Sequence, residues 1–275
     1  MSTLTFTVIQ TQLHWEDKTT NLQMLEEKIN SIKEKTEVVI LPEMFSTGFS
    51  MQPEKLAETM DGETVAWMKR MAAQKRVILT GSFIAEDGEH YYNRLVWMLP
   101  TGQYGIYNKR HLFAYAGEDA HYAAGHKRLI ASVKGWKINL QVCYDLRFPL
   151  WARQQQTEEG AEYDVLIYVA NWPERRHHAW KTLLQARAIE NQSFVIGVNR
   201  VGNDGNGIYH SGDSMIIDPM GEILYHKVHD EDIFTITLQK KTIDEIRAKL
   251  PFLKDADPFM LLDQNWATHG DGDGQ

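Results

Sequence analysis

Trp97-Met98-Leu99-Pro100-Thr101-Gly102-Gln103 and Ile216-Ile217-Asp218-Pro219-Met220-Gly221-Glu222 are written to one plan. An apolar strand end runs into Pro-x-Gly and out into a second strand. Proline presets φ for the first corner of a turn and glycine supplies a positive φ, so both stretches read as hairpins. Upstream of the first lie a Thr/Phe/Val/Ile-rich strand at 4–10, a helix with Leu22, Leu25, Ile29 and Ile32 on one face, a strand at 38–41, a helix marked by Val65, Met68 and Ala72, and a strand at 77–80. Upstream of the second lie strands at 138–142 and 165–170, a helix marked by Trp180, Leu183, Leu184 and Ala188, and a strand at 194–198. Strand–helix alternation of this kind demands crossover connections and predicts an α/β fold. Pro-x-Gly turns are common, which leaves coincidence open. The alternative is one α/β unit present twice, giving two packed sheets with helices outside.

The 275 residues carry 43% hydrophobic side chains and a net charge of −8. An acidic balance argues against nucleic acid or an anionic membrane surface as partner, since both require a basic footprint. No Pro-, Ser- or Gly-rich linker divides the chain, so a single domain over residues 1–268 is expected, with a flexible Gly- and Asp-rich tail at 269–275. Cys143 is the only cysteine, which excludes an intramolecular disulfide and a Cys-rich zinc site. No apolar run approaches the ~18 residues of a membrane span, and the first residues lack the pattern of a secretory signal. A cytoplasmic address is expected. Phosphate-loop, G-x-S-x-G and H-E-x-x-H signatures are missing, and the eleven histidines show no metal-ligand spacing. No metal and no cofactor are expected.

Three short segments carry chemistry. Leu41-Pro42-Glu43 places a carboxylate directly after an apolar strand, Asn108-Lys109-Arg110-His111-Leu112 a lysine after the first hairpin, and Cys143-Tyr144-Asp145-Leu146-Arg147-Phe148-Pro149 the cysteine at another strand's end. Strand ends are where ligands bind in α/β sheets. Taken singly, each residue reads equally as a surface charge or an inert buried thiol. Together they supply a base, a cation and a nucleophile, with the cation expected to lower the thiol pKa.

In the order Glu43, Lys109, Cys143 and in these contexts, the chain resembles the nitrilase superfamily of carbon–nitrogen hydrolases from about residue 4 to residue 238. The resemblance implies a four-layer α-β-β-α sandwich. It implies Glu43 as general base, Cys143 as the nucleophile that forms a thioester, and Lys109 with the Tyr144 N–H as oxyanion donors. Glu118, rather than Asp119, matches the family's second glutamate that holds the lysine. Asn171-Trp172-Pro173 matches the loop beside the active site, and Arg187, Ala188, Glu190 and Asn191 a structural helix signature. Asp145 and Arg147 are expected to pair and fix the nucleophile's turn, with a direct substrate role for Arg147 as the alternative. Phe45, Phe113 and Trp172 read as pocket walls or as core. Cys143-Tyr144-Asp145-Leu146-Arg147-Phe148 is similar to the omega-amidase branch, which implies hydrolysis of the terminal amide of 2-oxoglutaramate or 2-oxosuccinamate to a dicarboxylate and ammonia. Arg175 or Arg176 is the expected partner of the substrate carboxylate, because the guanidinium fork suits a carboxylate. Another aliphatic amidase, a carbamoyl hydrolase and a catalytically silent binding protein are the alternatives. The resemblance implies at least a homodimer, with helices after Trp151 or Ala179 as interface elements. The apolar segment at 251–266 is expected to dock onto some surface.

Overall fold

The structure, a computed structural model, describes residues 2–158 and 160–261. The chain opens with β1 (Thr3–Gln10), α1 (Lys18–Ser31) and β2 (Val38–Ile40). A short α2 (Pro53–Leu56) precedes α3 (Glu63–Lys75), β3 (Ile78–Asp87), β4 (His90–Met98) and β5 (Tyr104–Asn108). After α4 (Glu118–His121) come β6 (Leu129–Val133), β7 (Trp136–Val142) and α5 (Pro149–Ala152). A small hairpin of β8 (Gln156–Thr157) and β9 (Gly160–Ala161) leads to β10 (Val165–Val169), α6 (His177–Asn191), β11 (Phe194–Val198) and β12 (Val201–Asn203). The chain then forms β13 (Tyr209–Ile217), β14 (Ile223–Val228), β15 (Asp232–Gln239) and α7 (Lys240–Lys249).

The repeated hairpins mark a repeated sheet. The first sheet has the order β15-β1-β2-β3-β4-β5, with β1, β2 and β3 parallel and β4 and β5 antiparallel. In the second, β6-β7-β10-β11-β13-β14 follows the same plan, and β12 adds an edge beside β13. Pro100-Thr101-Gly102 turns β4 into β5, and Pro219-Met220-Gly221 turns β13 into β14. Gly102 and Gly221 have φ +84° and +89°, the backbone the turns were expected to need. The two hairpins thus hold equivalent places, which removes the coincidence reading. The sequence reading stops short at β3, which runs on from the predicted 77–80 to Asp87, and gives no sign of β15, which brings the chain back against β1.

Alternation along the strands builds the layers. Leu4, Phe6 and Val8 of β1 and Val38 and Ile40 of β2 share one core with Ile138 and Leu140 of the second sheet. Their neighbours of opposite parity, Ile9 and Val39, pack with Leu22, Leu25 and Ile29 of α1 and with Val65, Met68 and Ala72 of α3. Asp17 caps α1 by accepting a hydrogen bond from the Thr20 N–H at 3.1 Å. Trp180, Leu184 and Ala188 of α6 cover the outside of the second sheet. Gly197 lets that helix in, since a Cβ there would lie 2.6 Å from Leu184 and 2.8 Å from Trp180. The result is the four-layer α-β-β-α sandwich. In the described part of the C-terminal segment only Leu253 is buried, while Phe252, Met260 and Leu261 are exposed. The rest of that segment, the tail at 269–275 and the expected domain end at 268 lie outside the described residues.

One glycine ties the first sheet to the chemistry. The Gly125 N–H donates to the Lys109 carbonyl at 2.8 Å, and a Cβ on Gly125 would stand 2.0 Å from the Asn108 carbonyl oxygen. Gly125→Ala is therefore expected to displace the chain around Lys109. Overpacking of this kind costs about 1–3 kcal/mol, read as a lowered melting midpoint together with reduced turnover. A variant with wild-type melting and rate contradicts this packing.

Candidate active site

The functional groups leave the carboxyl ends of the parallel strands: Glu43 after β2, Cys143 after β7 and Asn171 after β10. Lys109 follows β5, and Glu118 begins α4. The fold thus gathers Glu43, Lys109, Glu118 and Cys143 in one place. The Lys109 ammonium is buried, with Nζ 2.9 Å from Glu43 Oε1 and 2.9 and 2.8 Å from the two Glu118 oxygens. Asn93 Nδ2 donates to Glu43 Oε1 at 2.7 Å and to Glu118 Oε1 at 3.2 Å. The Asn171 N–H holds Glu43 Oε2 at 2.8 Å, and the Phe113 N–H holds Glu118 Oε2 at 2.6 Å. Every carboxylate oxygen has a donor, as burial requires. Asp119 is exposed, so Glu118 is the acidic residue that reaches the lysine.

Burial alone pulls the Lys109 ammonium down, but the Glu118 and Glu43 charges outweigh it and raise its pKa. Burial raises the Glu118 carboxyl, with Lys109 opposing. The Cys143 thiol also departs from expectation. Burial first, then the Glu43 charge, push its pKa well above the usual value, and Lys109 offsets only part of this. The cation beside it therefore does not produce a resting thiolate. Two carboxylates share that cation, and their negative charge opposes a second anion. A thiol so placed keeps its proton at rest, and Glu43 is a carboxylate beside it.

Cys143 sits at the head of a 3₁₀ turn, Cys143–Arg147, with φ +45°, a left-handed backbone that costs a non-glycine residue about 1–3 kcal/mol. Asp145 holds the turn in that shape. Its Oδ2 accepts from the Val142 N–H at 3.0 Å and the Tyr107 hydroxyl at 2.6 Å, and its Oδ1 from the His111 N–H at 2.9 Å and His111 Nδ1 at 2.8 Å. Arg187 Nη2 donates to the Leu146 carbonyl at 2.6 Å, which gives the helix signature its structural role. The expected Asp145–Arg147 pair is not made, because Tyr107, His111 and Val142 occupy the carboxylate. Arg147 instead lies over the Trp172 ring, 4.9 Å from its centroid.

Cys143 and Lys109 line a cavity of about 240 Å³. Phe113, Tyr144 and Trp172 line it as well, and Arg175 and Arg176 reach it from the turn that precedes α6. Phe45 is not part of it; its ring packs 5.8 Å from Trp67 in the outer core. Sequence reasoning missed Phe49, Asn93 and the position of Arg147. Asn93, a fully buried amide inside apolar β4, carried a readable signal: a polar residue in a strand's core needs a partner. Arg147, Arg175 and Arg176 form no ion pair with a carboxylate among the described residues. Within the same residues, no group of three or more His, Cys, Asp or Glu side chains is placed to hold a metal ion, and no helix is long and apolar enough to cross a membrane.

The raised thiol pKa has a spectroscopic consequence. Subtracting the Cys143→Ala spectrum isolates thiolate absorbance near 240 nm from tyrosine ionisation. With the folded-state pKa above the ordinary ~8.5, no thiolate step is expected between pH 6 and 8. The stability contributed by the buried neutral thiol is present below the unfolded pKa and is lost as pH rises through the folded one. A thiolate step near neutrality contradicts this electrostatic account.

A family model described as carbon–nitrogen hydrolase matches residues 5–248. The chain is 41% identical over 265 residues to the omega-amidase YafV of Yersinia enterocolitica, covering 95% of this chain and 100% of that one. It is 32% identical over 254 residues to the 2-oxoglutaramate amidase of Bacillus subtilis, covering 91% and 96%. Among solved structures it is similar to XC1258 from Xanthomonas campestris, a CN-hydrolase superfamily protein with an arsenic adduct in its active site. That similarity has a TM-score of 0.93 and 42% identity, with 95% and 100% of the two chains covered. With a family match across most of its length, a two-sheet sandwich and a glutamate, a lysine and a cysteine brought together at the strand ends, this chain belongs to the carbon–nitrogen hydrolase family.

Proposed function

We propose that the protein is an omega-amidase that hydrolyses the terminal amide of a small 2-oxo acid amide such as 2-oxoglutaramate. The observation that carries this reading is the buried Glu43–Lys109–Glu118 cluster beside Cys143, opening into a small cavity with three arginines that have no carboxylate partner among the described residues. The names of the relatives support the same substrate class.

The thiol of Cys143 attacks the amide carbon while its proton passes to Glu43. The carbonyl oxygen becomes an oxyanion, met by the Lys109 ammonium and by the Tyr144 N–H at the start of the 3₁₀ turn, where no intrahelical acceptor exists. Glu43 then gives the proton to the departing nitrogen, the C–N bond breaks and ammonia leaves. The acyl group remains as a thioester on Cys143. Water attacks that carbon, Glu43 takes one of its protons, and collapse of the second tetrahedral adduct returns the thiol and releases the carboxylic acid. Arg175 and Arg176 receive the carboxylate at the far end of the substrate. Burial pulls the Arg176 pKa down, with the Arg175 charge adding to the effect, and a bound anion relieves that crowding. The core shared by the two sheets supports reading them as one hydrolase domain. A lone nucleophilic thiol needs a reducing compartment, which favours the cytoplasm. The apolar side chains of Leu150 near Trp151 and of Phe252, both exposed in a single chain, suit a homodimer.

The test is ammonia release from 2-oxoglutaramate, with glutamine, asparagine and a simple aliphatic nitrile as comparators. Strong release from the keto-amide alone is expected, with loss of roughly 10⁴-fold or more in Cys143→Ala. Cys143→Ser is expected to be nearly inactive. Undiminished turnover in Cys143→Ala overturns the mechanism, and silence on the keto-amide overturns the substrate. Arg175→Ala and Arg176→Ala are each expected to raise KM for the keto-amide about tenfold or more, the scale of one charge-assisted hydrogen bond. Wild-type kcat/KM in both removes the arginines from carboxylate recognition.

A further inference from the structure

The cavity has one polar wall that the mechanism does not use. His210 of β13 lines it, together with Asp204 and Ile208 of the loop that joins β12 to β13. Its side chain is almost fully enclosed, with the residue 2% exposed, and its Nδ1 is buried without a hydrogen-bond partner. That atom is closed to solvent, so a ligand meets the ring on its cavity side. His210, Arg175 and Arg176 line the same small cavity of about 240 Å³.

We propose that His210 is the specificity residue that reads the substrate's 2-oxo group, donating a hydrogen bond from an imidazole N–H on the cavity side of the ring to the ketone oxygen. This rests on the omega-amidase reading above. In a 2-oxo acid amide the ketone is bonded directly to the carboxylate carbon. A substrate whose carboxylate meets Arg175 and Arg176 therefore carries its ketone next to them. A ketone oxygen only accepts, and a neutral imidazole has one N–H to give. Burial first, then the charge of Arg200, lower the His210 pKa to about 4, so the ring is neutral at physiological pH. Arg200 itself is buried, with one guanidinium nitrogen lacking a partner and with its own pKa lowered to about 10 by burial. An N–H donor beside a buried cation accepts a ketone and opposes the ammonium of a 2-amino acid amide. The site thus separates 2-oxoglutaramate from glutamine by chemistry at one carbon.

The test compares kcat/KM for 2-oxoglutaramate with that for glutaric acid monoamide, the same chain without the ketone, in wild type, His210→Phe and His210→Asn. The wild type is expected to prefer the keto-amide at least about tenfold, the scale of one hydrogen bond to a buried group. His210→Phe is expected to reduce that ratio about tenfold. His210→Asn, which keeps an N–H donor, is expected to recover part of the preference. Turnover of the monoamide reports that each variant is folded, and a merely structural role lowers both substrates together. An unchanged ratio in His210→Phe, equal loss on both substrates, or no wild-type preference overturns the assignment of His210 while leaving the omega-amidase reading in place. A wild type inactive on 2-oxoglutaramate overturns both.

Discussion

A single buried cation organises this molecule. Lys109 brings an ammonium into the interior, and two carboxylates come with it. Removing such a cation leaves like charges buried and uncompensated, a loss of about 3–5 kcal/mol. The two carboxylates come from distant parts of the chain, Glu43 from the end of β2 and Glu118 from the start of α4. Asn93, Asn171 and the Phe113 N–H saturate the remaining oxygens. The cluster therefore pins β2, β4, the loop after β5 and the loop after β10 to one point between the sheets. Stability and chemistry are served by the same bonds.

The nucleophile is held by a different device. Cys143 cannot relax from its left-handed backbone because Asp145 gathers donors from β7, β5 and His111 around the turn. Under the proposed mechanism, this fixed geometry lets a residue flanked by negative charge act as the nucleophile. Its thiol is not activated in advance. In the proposed mechanism it is positioned beside its base, with the cation set for the oxyanion that develops rather than for a resting thiolate. The electrostatic gain appears in the transition state, which is where it accelerates a reaction.

Much of this was legible in the sequence. Apolar runs at 38–41, 138–142 and 165–170 announced strands buried on both faces, and the paired Pro-x-Gly turns announced that the unit recurs. Glu43, Lys109 and Cys143 were readable as candidates because each follows a strand in a distinctive context, and Glu118 because the family resemblance implies a second glutamate between the lysine and the cysteine. The partners were not readable. Asp145 was assigned to Arg147, two residues away, because sequence shows only near neighbours; its true partners include Tyr107, 38 positions upstream. The thiol pKa was expected to fall because a lysine is visible in the sequence while the burial and shared carboxylates that outweigh it are not. Phe45 and Phe49 are four residues apart and chemically alike, and only the path of the loop after β2 sends the first to the outer core and the second to the cavity. His210 lies in a strand the sequence marked only by its hairpin end.

The central claim is that Cys143 carries the acyl group between two proton transfers through Glu43. Mass spectrometry of enzyme quenched in acid during turnover of 2-oxoglutaramate tests it most directly. The account predicts one 2-oxoglutaryl group per chain, mapped to the peptide containing Cys143 and released by hydroxylamine as a thioester. An unmodified Cys143 peptide throughout rapid turnover under conditions in which a control thioester survives the quench, with activity persisting after Cys143 is alkylated, would contradict it.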